Sequence, residues 1–349
     1  MKTLTILFVT VIMMGVGCSK NEDSGNNPDK PDKPSPLPDL PDPDDVCSCM
    51  DDIIFMQYCY DNFDVNKDGK VSVIEANAAR KIDINSECAS VKGIERFPNI
   101  EILSLNGSSI TELDLRYNLK LKSLSCQDRQ LTTVLLPNTL TAIAFSGCSS
   151  LTEINLPASL TSIGESAFYD CSSLTEIHLP ANLTSIRESV FNGCSSLTEI
   201  HLPASLTSIG AAFGGCSGLT EIHLPDNLTS IESSTFNFCS SLTEIHLPAN
   251  LTSIGERAFW SCSSLTEIHL PASLTSIGGY AFDQCTSLMK IMCYALTPPT
   301  ISGRFLFGFA HSGHLLYNRS ENLYVPAEST QAYKDSDWAS YFENILPIE

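Results

Sequence analysis

Seven phenylalanines, each followed three residues later by a cysteine, recur at near-constant spacing along this 349-residue chain. They are Phe145, Phe168, Phe191, Phe213, Phe236, Phe259 and Phe282, paired with Cys148, Cys171, Cys194, Cys216, Cys239, Cys262 and Cys285. The step is 23 residues, with one step of 22 where Gly210-Ala211-Ala212-Phe213 has lost a position. A period of roughly 20 to 29 residues with leucines at fixed offsets predicts a stacked solenoid. Such a chain offers a long regular surface and no single deep pocket. Binding is therefore the default expectation.

Residues 174–196 show the unit. Leu174, Ile177 and Leu179 follow the spacing L-x-x-L-x-L, in which a short strand turns apolar side chains into the core. Pro180 stops that strand, because it has no N–H for a ladder. Leu183 and Ile186 supply a second apolar edge, Phe191 fills the middle, and Cys194 closes the coil. No coil can bury these groups alone; its neighbours above and below must do so. Stacking at about 4.8 Å places equivalent residues in columns. The Phe and Cys columns then form a dry spine of unpaired thiols, since each cysteine has two equivalent neighbours and seven is an odd number to pair.

The pattern L-T-x-I-x-L-P-x-x-L-T-S-I-G-x-x-A-F-x-x-C-x-S over residues 131–293 resembles the BspA-like leucine-rich repeats, the class also found in treponemal surface proteins. Ahead of it, Ile100-x-x-Leu103-x-Leu105 and Leu121-x-x-Leu124-x-Cys126 form a 21-residue repeat similar to shorter leucine-rich repeats. The tail containing Leu323, Tyr333, Trp338 and Ile345 resembles the closing segment of such proteins. The resemblance implies a β-rich, right-handed leucine-rich-repeat solenoid with a small helical N-terminal cap and a C-terminal cap. It also implies a surface adhesin, since some family members bind host matrix proteins.

Residues 1–17 read as a secretory signal: Lys2 precedes an apolar run too short to span a bilayer. The following Cys18 and Ser19-Lys20-Asn21-Glu22-Asp23 resemble a bacterial lipoprotein signal of the Bacteroidetes type, although Gly15 stands where such signals carry leucine. Acylation at Cys18 and export to the outer-membrane surface are the expectation. Residues 19–46 hold seven prolines and eight acidic residues, a composition that cannot fold and should form a tether. Fully extended it reaches roughly 85 Å. The net charge of −20 argues against nucleic acid, which needs clustered Lys and Arg.

Asp64, Asn66, Asp68, Lys70, Ser72 and Glu75 fall at the ligand positions of a twelve-residue EF-hand loop, with Gly69 at its sharp turn. Calcium is the expected ion, and helices are expected over 51–63 and 74–81. Only one loop is visible, so a structural cap fits better than a sensor or a dockerin-like module. Cys47, Cys49, Cys59 and Cys88 lie outside the period around this cap. One or two disulfides among them are expected, with connectivity open.

Strand alternation turns Glu153, Glu176, Glu199, Glu221, Glu244 and Glu267 outward in one column, beside Asn155, His178, His201, His223, His246 and His269. Neighbouring imidazoles one strand apart could share a zinc or copper ion; a plain pairing of Glu with His fits as well. No residue breaks repeat symmetry in the way a catalytic site does, and no HExxH or Gly-rich phosphate loop is present. An enzyme is not expected. Specificity should sit where copies differ: Tyr169, Arg187, Phe238, Arg257, Trp260 and Tyr280 around the Phe–Cys pair.

The chain thus reads as signal peptide (1–17), lipid-anchored tether (18–46), EF-hand-like cap (47–96), solenoid (97–293) and C-terminal cap (294–349). Its expected role is non-catalytic adhesion or binding of an extracellular protein or glycan. Nutrient capture of glycans and a structural surface coat are the alternatives.

Overall fold

In the computed structural model the described residues are 36–303 and 320–348; the signal segment and Cys18 lie outside them. Residues 38–348 form one unit. It is a β-solenoid of about eleven coils, each contributing one short strand to each of two parallel columns.

The first column runs through Lys81–Ile84, Ile102–Asn106, Ser123–Gln127 and Ala142–Ala144, paired in parallel and in register. It continues through Ser162–Ile163 and Ser185–Ile186, and later through Ser230–Ile231, Ser253–Ile254, Ser276–Gly278 and Thr300–Ser302. The second column holds Glu112–Asp114, Thr133–Leu135, Glu153–Asn155, Glu176–His178, Glu221–His223, Glu244–His246 and Glu267–Leu270. It ends in Lys290–Cys293, Ser320–Val325 and Phe342–Pro347.

This arrangement corrects the repeat frame. The L-x-x-L-x-L strands of the short N-terminal repeats align with the L-T-S-I edge of the long repeats, not with L-T-E-I-H-L. Both edges are strands. Leu179 is only half-buried, whereas Pro180 is buried and its carbonyl accepts from Leu183 N (3.0 Å), so the strand ends at His178. The stack also begins at Lys81, inside the expected cap, and runs past residue 293.

The spine is as the spacing implies. All seven repeat phenylalanines are buried, and successive rings stack with centroids 5.2–5.8 Å apart and planes within 4–17° of parallel. Beside them runs a thiol ladder. Cys171 Sγ donates to Phe145 O (3.1 Å), Cys194 to Phe168 O (3.2 Å), and so on to Cys285 and Phe259 O (3.1 Å). The same carbonyl accepts the N–H of its own coil's cysteine, as Phe168 O does from Cys171 N (3.2 Å). The Phe-x-x-Cys spacing thus lets one carbonyl use both lone pairs, closing its own turn and tying it to the next coil. At the base of the ladder Cys126 stands where later coils carry phenylalanine, and Cys148 Sγ donates to its carbonyl (3.3 Å). Threonines act similarly on the surface: Thr175 Oγ1 donates to Thr152 O (3.1 Å) and Thr275 Oγ1 to Thr252 O (2.9 Å).

Both ends of the stack are covered. At the C-terminus Tyr333 and Trp338 are buried; Tyr333 Oη donates to Ala295 O (2.9 Å) and Trp338 Nε1 to Pro299 O (2.8 Å). At the N-terminus helix α1 (Ile53–Phe63), helix α2 (Val73–Ala78) and a 3-10 turn (Val46–Cys49) bury Phe55, Cys59, Val71 and Ala76. Asp52 caps α1 through Ile54 N and Phe55 N (2.8 and 2.9 Å), and Ser72 with Glu75 forms a capping box on α2. The second helix is shorter than its expected span, because strand Lys81–Ile84 claims the residues that follow. The expected tether is shorter too: Asp45 and Val46 are buried parts of the cap.

Removing one ring should therefore damage the whole stack locally. Phe213→Ala is expected to cost about 3–5 kcal/mol, as full burial of a large ring implies. Urea unfolding followed by far-ultraviolet circular dichroism measures this. A loss under about 1 kcal/mol would mean that the aromatic column is not the spine.

Candidate binding surfaces and metal loop

The Glu and His columns face solvent in strict register, Glu221 beside Glu244 and His223 beside His246. Isolated bridges His178–His201 and His201–His223 continue the row. Each imidazole turns Nε2 to the glutamate two residues earlier in its own coil. The separations are 3.3 Å for His178–Glu176, 3.1 Å for His201–Glu199, 3.3 Å for His223–Glu221 and 3.2 Å for His246–Glu244. His223 and His246 stack at 6.2 Å. The row closes at His269, which contacts Glu267 (2.6 Å) and Tyr294 Oη (3.1 Å), while Lys290 also pairs with Glu267 (2.7 Å). The rings lie parallel instead of converging on an ion. Among the described residues no group of three His, Cys, Asp or Glu side chains is placed to hold a metal.

The variable residues occupy the corner of each coil, where the backbone needs left-handed positions on both sides of the buried phenylalanine. Arg257 (φ 55°) and Tyr280 (φ 59°) fill the first such position; Phe238 (φ 60°) and Ser261 (φ 61°) fill the second. Other coils place Gly147, Gly193 and Gly215 at the second position, the low-strain choice. A bulky residue there is uncommon. The late coils bring several such residues together. Phe238 packs edge-on against Trp260 (4.7 Å), and the Arg257 guanidinium sits 5.0 Å from the Tyr280 ring centre. Trp260 also donates to Asp283, whose carboxyl burial pushes above its ordinary range despite bonds from Trp260 and the Gln284 N–H. Ser261 Oγ reaches Gln284 Oε1 (3.1 Å). Tyr169 is exposed but three coils distant from Phe238, so the structure does not unite it with the others. Asp283 and Gln284 were missed from sequence; their departure from the residues in other copies was the available signal.

The acidic loop is held by its own backbone. Asp64 Oδ2 accepts from Gly69 N (3.0 Å), Asn66 Oδ1 from Asp68 N (3.0 Å) and Asp68 Oδ1 from Lys70 N (3.0 Å). Gly69 has φ 82°, the sharp turn expected of it. Glu75 Oε1 accepts from Val65 N (2.9 Å), while Oε2 accepts from Ser72 N (2.9 Å) and Ser72 Oγ (2.8 Å). These bonds, Ser72's first, hold its carboxyl below the usual range. Asp64 Oδ1 is buried with no hydrogen-bond donor, the condition a bound cation would relieve. The donor set of two Asp, one Asn, a carbonyl and one Glu fits calcium. It does not appear as a cluster of three acids, because Asn66 and the Lys70 carbonyl supply part of it and Glu75 is turned to its cap. Lys70 Nζ itself pairs with Asp42 (3.0 Å), leaving its carbonyl as the available ligand. Beside the loop, Lys70, Val73 and Ile74 help line a depression of about 560 Å³.

The central edge of the loop is occupied from within the chain. Val46 N donates to Val71 O (2.9 Å), Val71 N donates to Asp45 Oδ1 (3.1 Å), and Tyr60 Oη donates to Asp45 Oδ2 (2.7 Å). The segment that sequence assigned to the tether thus does for this single loop what a paired second loop would do.

The expected disulfides are absent from the structure: all described cysteines are free thiols. Cys49 Sγ donates to Val46 O (3.3 Å), Cys88 lies near Asp52 and Asp128, and Cys47 lies within hydrogen-bond reach of Cys59.

Residues 119–213 and 210–301, just over half of the chain, match the BspA type leucine rich repeat region. The chain belongs to this family. Among solved structures the BspA-type chain is similar to a leucine-rich repeat protein from Bacteroides ovatus, with 24% identity over 78% of this chain and 76% of that one (TM-score 0.53). It is also similar to the T. pallidum leucine rich repeat protein, at 28% identity over 51% and 83% (TM-score 0.40). A third is a leucine rich cell surface protein from Faecalibacterium prausnitzii, at 24% over 60% and 64% (TM-score 0.43). The first likeness speaks for the fold alone. No curated protein matches the chain in sequence.

Phe238→Gly should leave the BspA-type stack intact. Relief of a left-handed strain of about 1–2 kcal/mol offsets a lost aromatic contact of about 0.5–1.5 kcal/mol. A thermal melt within about 3 °C of the parent is expected.

Proposed function

Solenoids of this family are binding scaffolds. We propose that this member is a non-catalytic binding or adhesion protein displayed at the cell surface, which grips an extracellular protein through the corner cluster Phe238, Arg257, Trp260 and Tyr280. The observation that carries the proposal is that bulky aromatic and cationic side chains hold left-handed corners where glycine would cost less, and that they touch one another. Aromatic rings beside arginine are frequent anchors of protein interfaces. The Glu and His columns would form a polar flank to such a contact. Surface display rests on the leader, Cys18 and the acidic Pro-rich segment of the sequence.

A glycan partner is the second reading. It is favoured by Trp260 standing beside the carboxylate of Asp283 and the amide of Gln284, a grouping of ring face and polar ends suited to a sugar. The purified chain should be tested against extracellular matrix proteins and a glycan array, with Trp260→Ala and Phe238→Gly as variants. Saturable protein binding that falls at least about tenfold in both variants is expected for a central anchor. Hits confined to glycans would reverse the order of the two readings. Binding unchanged in both variants would remove the corner as the site.

We further propose that the loop 64–75 holds calcium as a structural ion, through Asp64, Asn66, Asp68, the Lys70 carbonyl, Ser72 through water, and Glu75. Loops of this kind outside the cell bind at about 10⁻⁴ to 10⁻³ M. Calorimetry on residues 36–349 should show one site in that range, abolished by Asp64→Ala. A silent titration together with an unchanged melting temperature would end the proposal.

A further inference from the structure

We propose that Cys47 and Cys59 are joined by a disulfide that staples the turn Val46–Cys49 to helix α1. Their side chains meet in a site closed to solvent: both are fully buried, and Cys47 is within hydrogen-bond reach of Cys59. Independent bonds hold the two backbones in that relation. Asp45 ties to the residue after Cys59 through Tyr60 Oη (2.7 Å), and the Cys47 N–H donates to the Asp45 carboxylate (3.0 Å). Val46, between them, is fixed to Val71 O (2.9 Å).

The other thiols have different engagements. Repeat cysteines donate to a carbonyl of the preceding coil, including Cys148 to Cys126 O (3.3 Å) and Cys262 to Phe236 O (3.1 Å). Cys49 donates to Val46 O (3.3 Å), and Cys88 lies near Asp52 and Asp128. Cys47 and Cys59 have each other.

The reaction is a two-electron oxidation. Two S–H bonds break and one S–S bond forms, while two electrons and two protons pass to a disulfide-bearing exchange oxidant, which leaves as its dithiol. Exchange runs through thiolates. The Cys59 thiol is pushed well above its ordinary pKa, first by the hydrogen bond with Cys47 and then by burial. The bond therefore forms while the cap is folding, before the pair is enclosed, and afterwards it is sheltered from reductant. Its consequence is to clamp Asp45 and Val46, the residues that edge the acidic loop at Val71. The proposal rests on the export reading only for the source of the oxidant.

The test uses the full chain, unfolded with reductant and refolded in a buffer of reduced and oxidised glutathione, so its outcome does not depend on export. Free thiols are then alkylated, and the digest is mapped by mass spectrometry without reduction. The expected result is one cross-linked peptide pair containing Cys47 and Cys59, lighter by two hydrogens than its reduced parts, with the repeat cysteines alkylated only after denaturation. The Cys49→Ser variant should keep the link and Cys47→Ser should lose it. In limited proteolysis Cys47→Ser should also be cut faster between residues 36 and 52 than the parent. Quantitative alkylation of Cys47 and Cys59, or a link from either to Cys49, Cys88 or Cys126, would overturn the proposal.

Discussion

Everything in this molecule follows from one constraint: coil must lie upon coil in exact parallel register, because no coil has enough apolar surface to be stable by itself. The register is enforced three times over in each step. Backbone ladders pair isoleucine with isoleucine in both strand columns, phenylalanine rings stack at 5.2–5.8 Å, and each thiol reaches back to the carbonyl of the ring in the coil before it. A slip by one residue would turn the Glu and His columns inward and expose isoleucine. That penalty is shared by all the coils, and it lets a sequence with short two- and three-residue strands hold a long stack.

The same constraint explains why function is placed at edges and ends. A repeating face offers a partner the same chemistry at every step, so distinctiveness has to come from corners, where the chain departs from its strand geometry. The corners demand left-handed backbone, which glycine meets at little cost. In the late coils phenylalanine, arginine and tyrosine meet it instead. Strain of this kind persists where the surrounding structure over-determines it, and here the buried phenylalanine between the two corner positions anchors both.

The N-terminal cap solves a different problem. A single acidic loop leaves the edge of its short central segment open, and its carboxylates repel one another. The turn preceding α1 closes that edge through Val46 and places the Asp45 carboxylate on Val71 N and Tyr60 Oη. Loop, turn and helix become one packed unit that continues directly into the strand Lys81–Ile84.

Much of this was legible from residues alone. The buried Phe and Cys columns, the unpaired state of the repeat thiols, and the outward Glu and His columns follow from a fixed period, since identical offsets must stack. Tyr333 and Trp338 were legible as a closing segment only through their resemblance to other solenoid ends. The assignment of strands was not legible: L-T-E-I and L-T-S-I are both apolar edges of similar spacing, and only the pairing of Ser123–Gln127 with Ala142–Ala144 shows which one continues the shorter repeats. The reach of the cap into residues 45 and 46 was hidden by a Pro- and Asp-rich composition that reads as unfolded. Sequence by itself determined the period, and with it every contact between equivalent residues, because translation along a stack maps like onto like. Tertiary structure alone decided the contacts between unlike residues: Trp260 on Phe238, Asp45 on Val71, Cys47 beside Cys59. Those depend on how segments cross in space, which no period encodes.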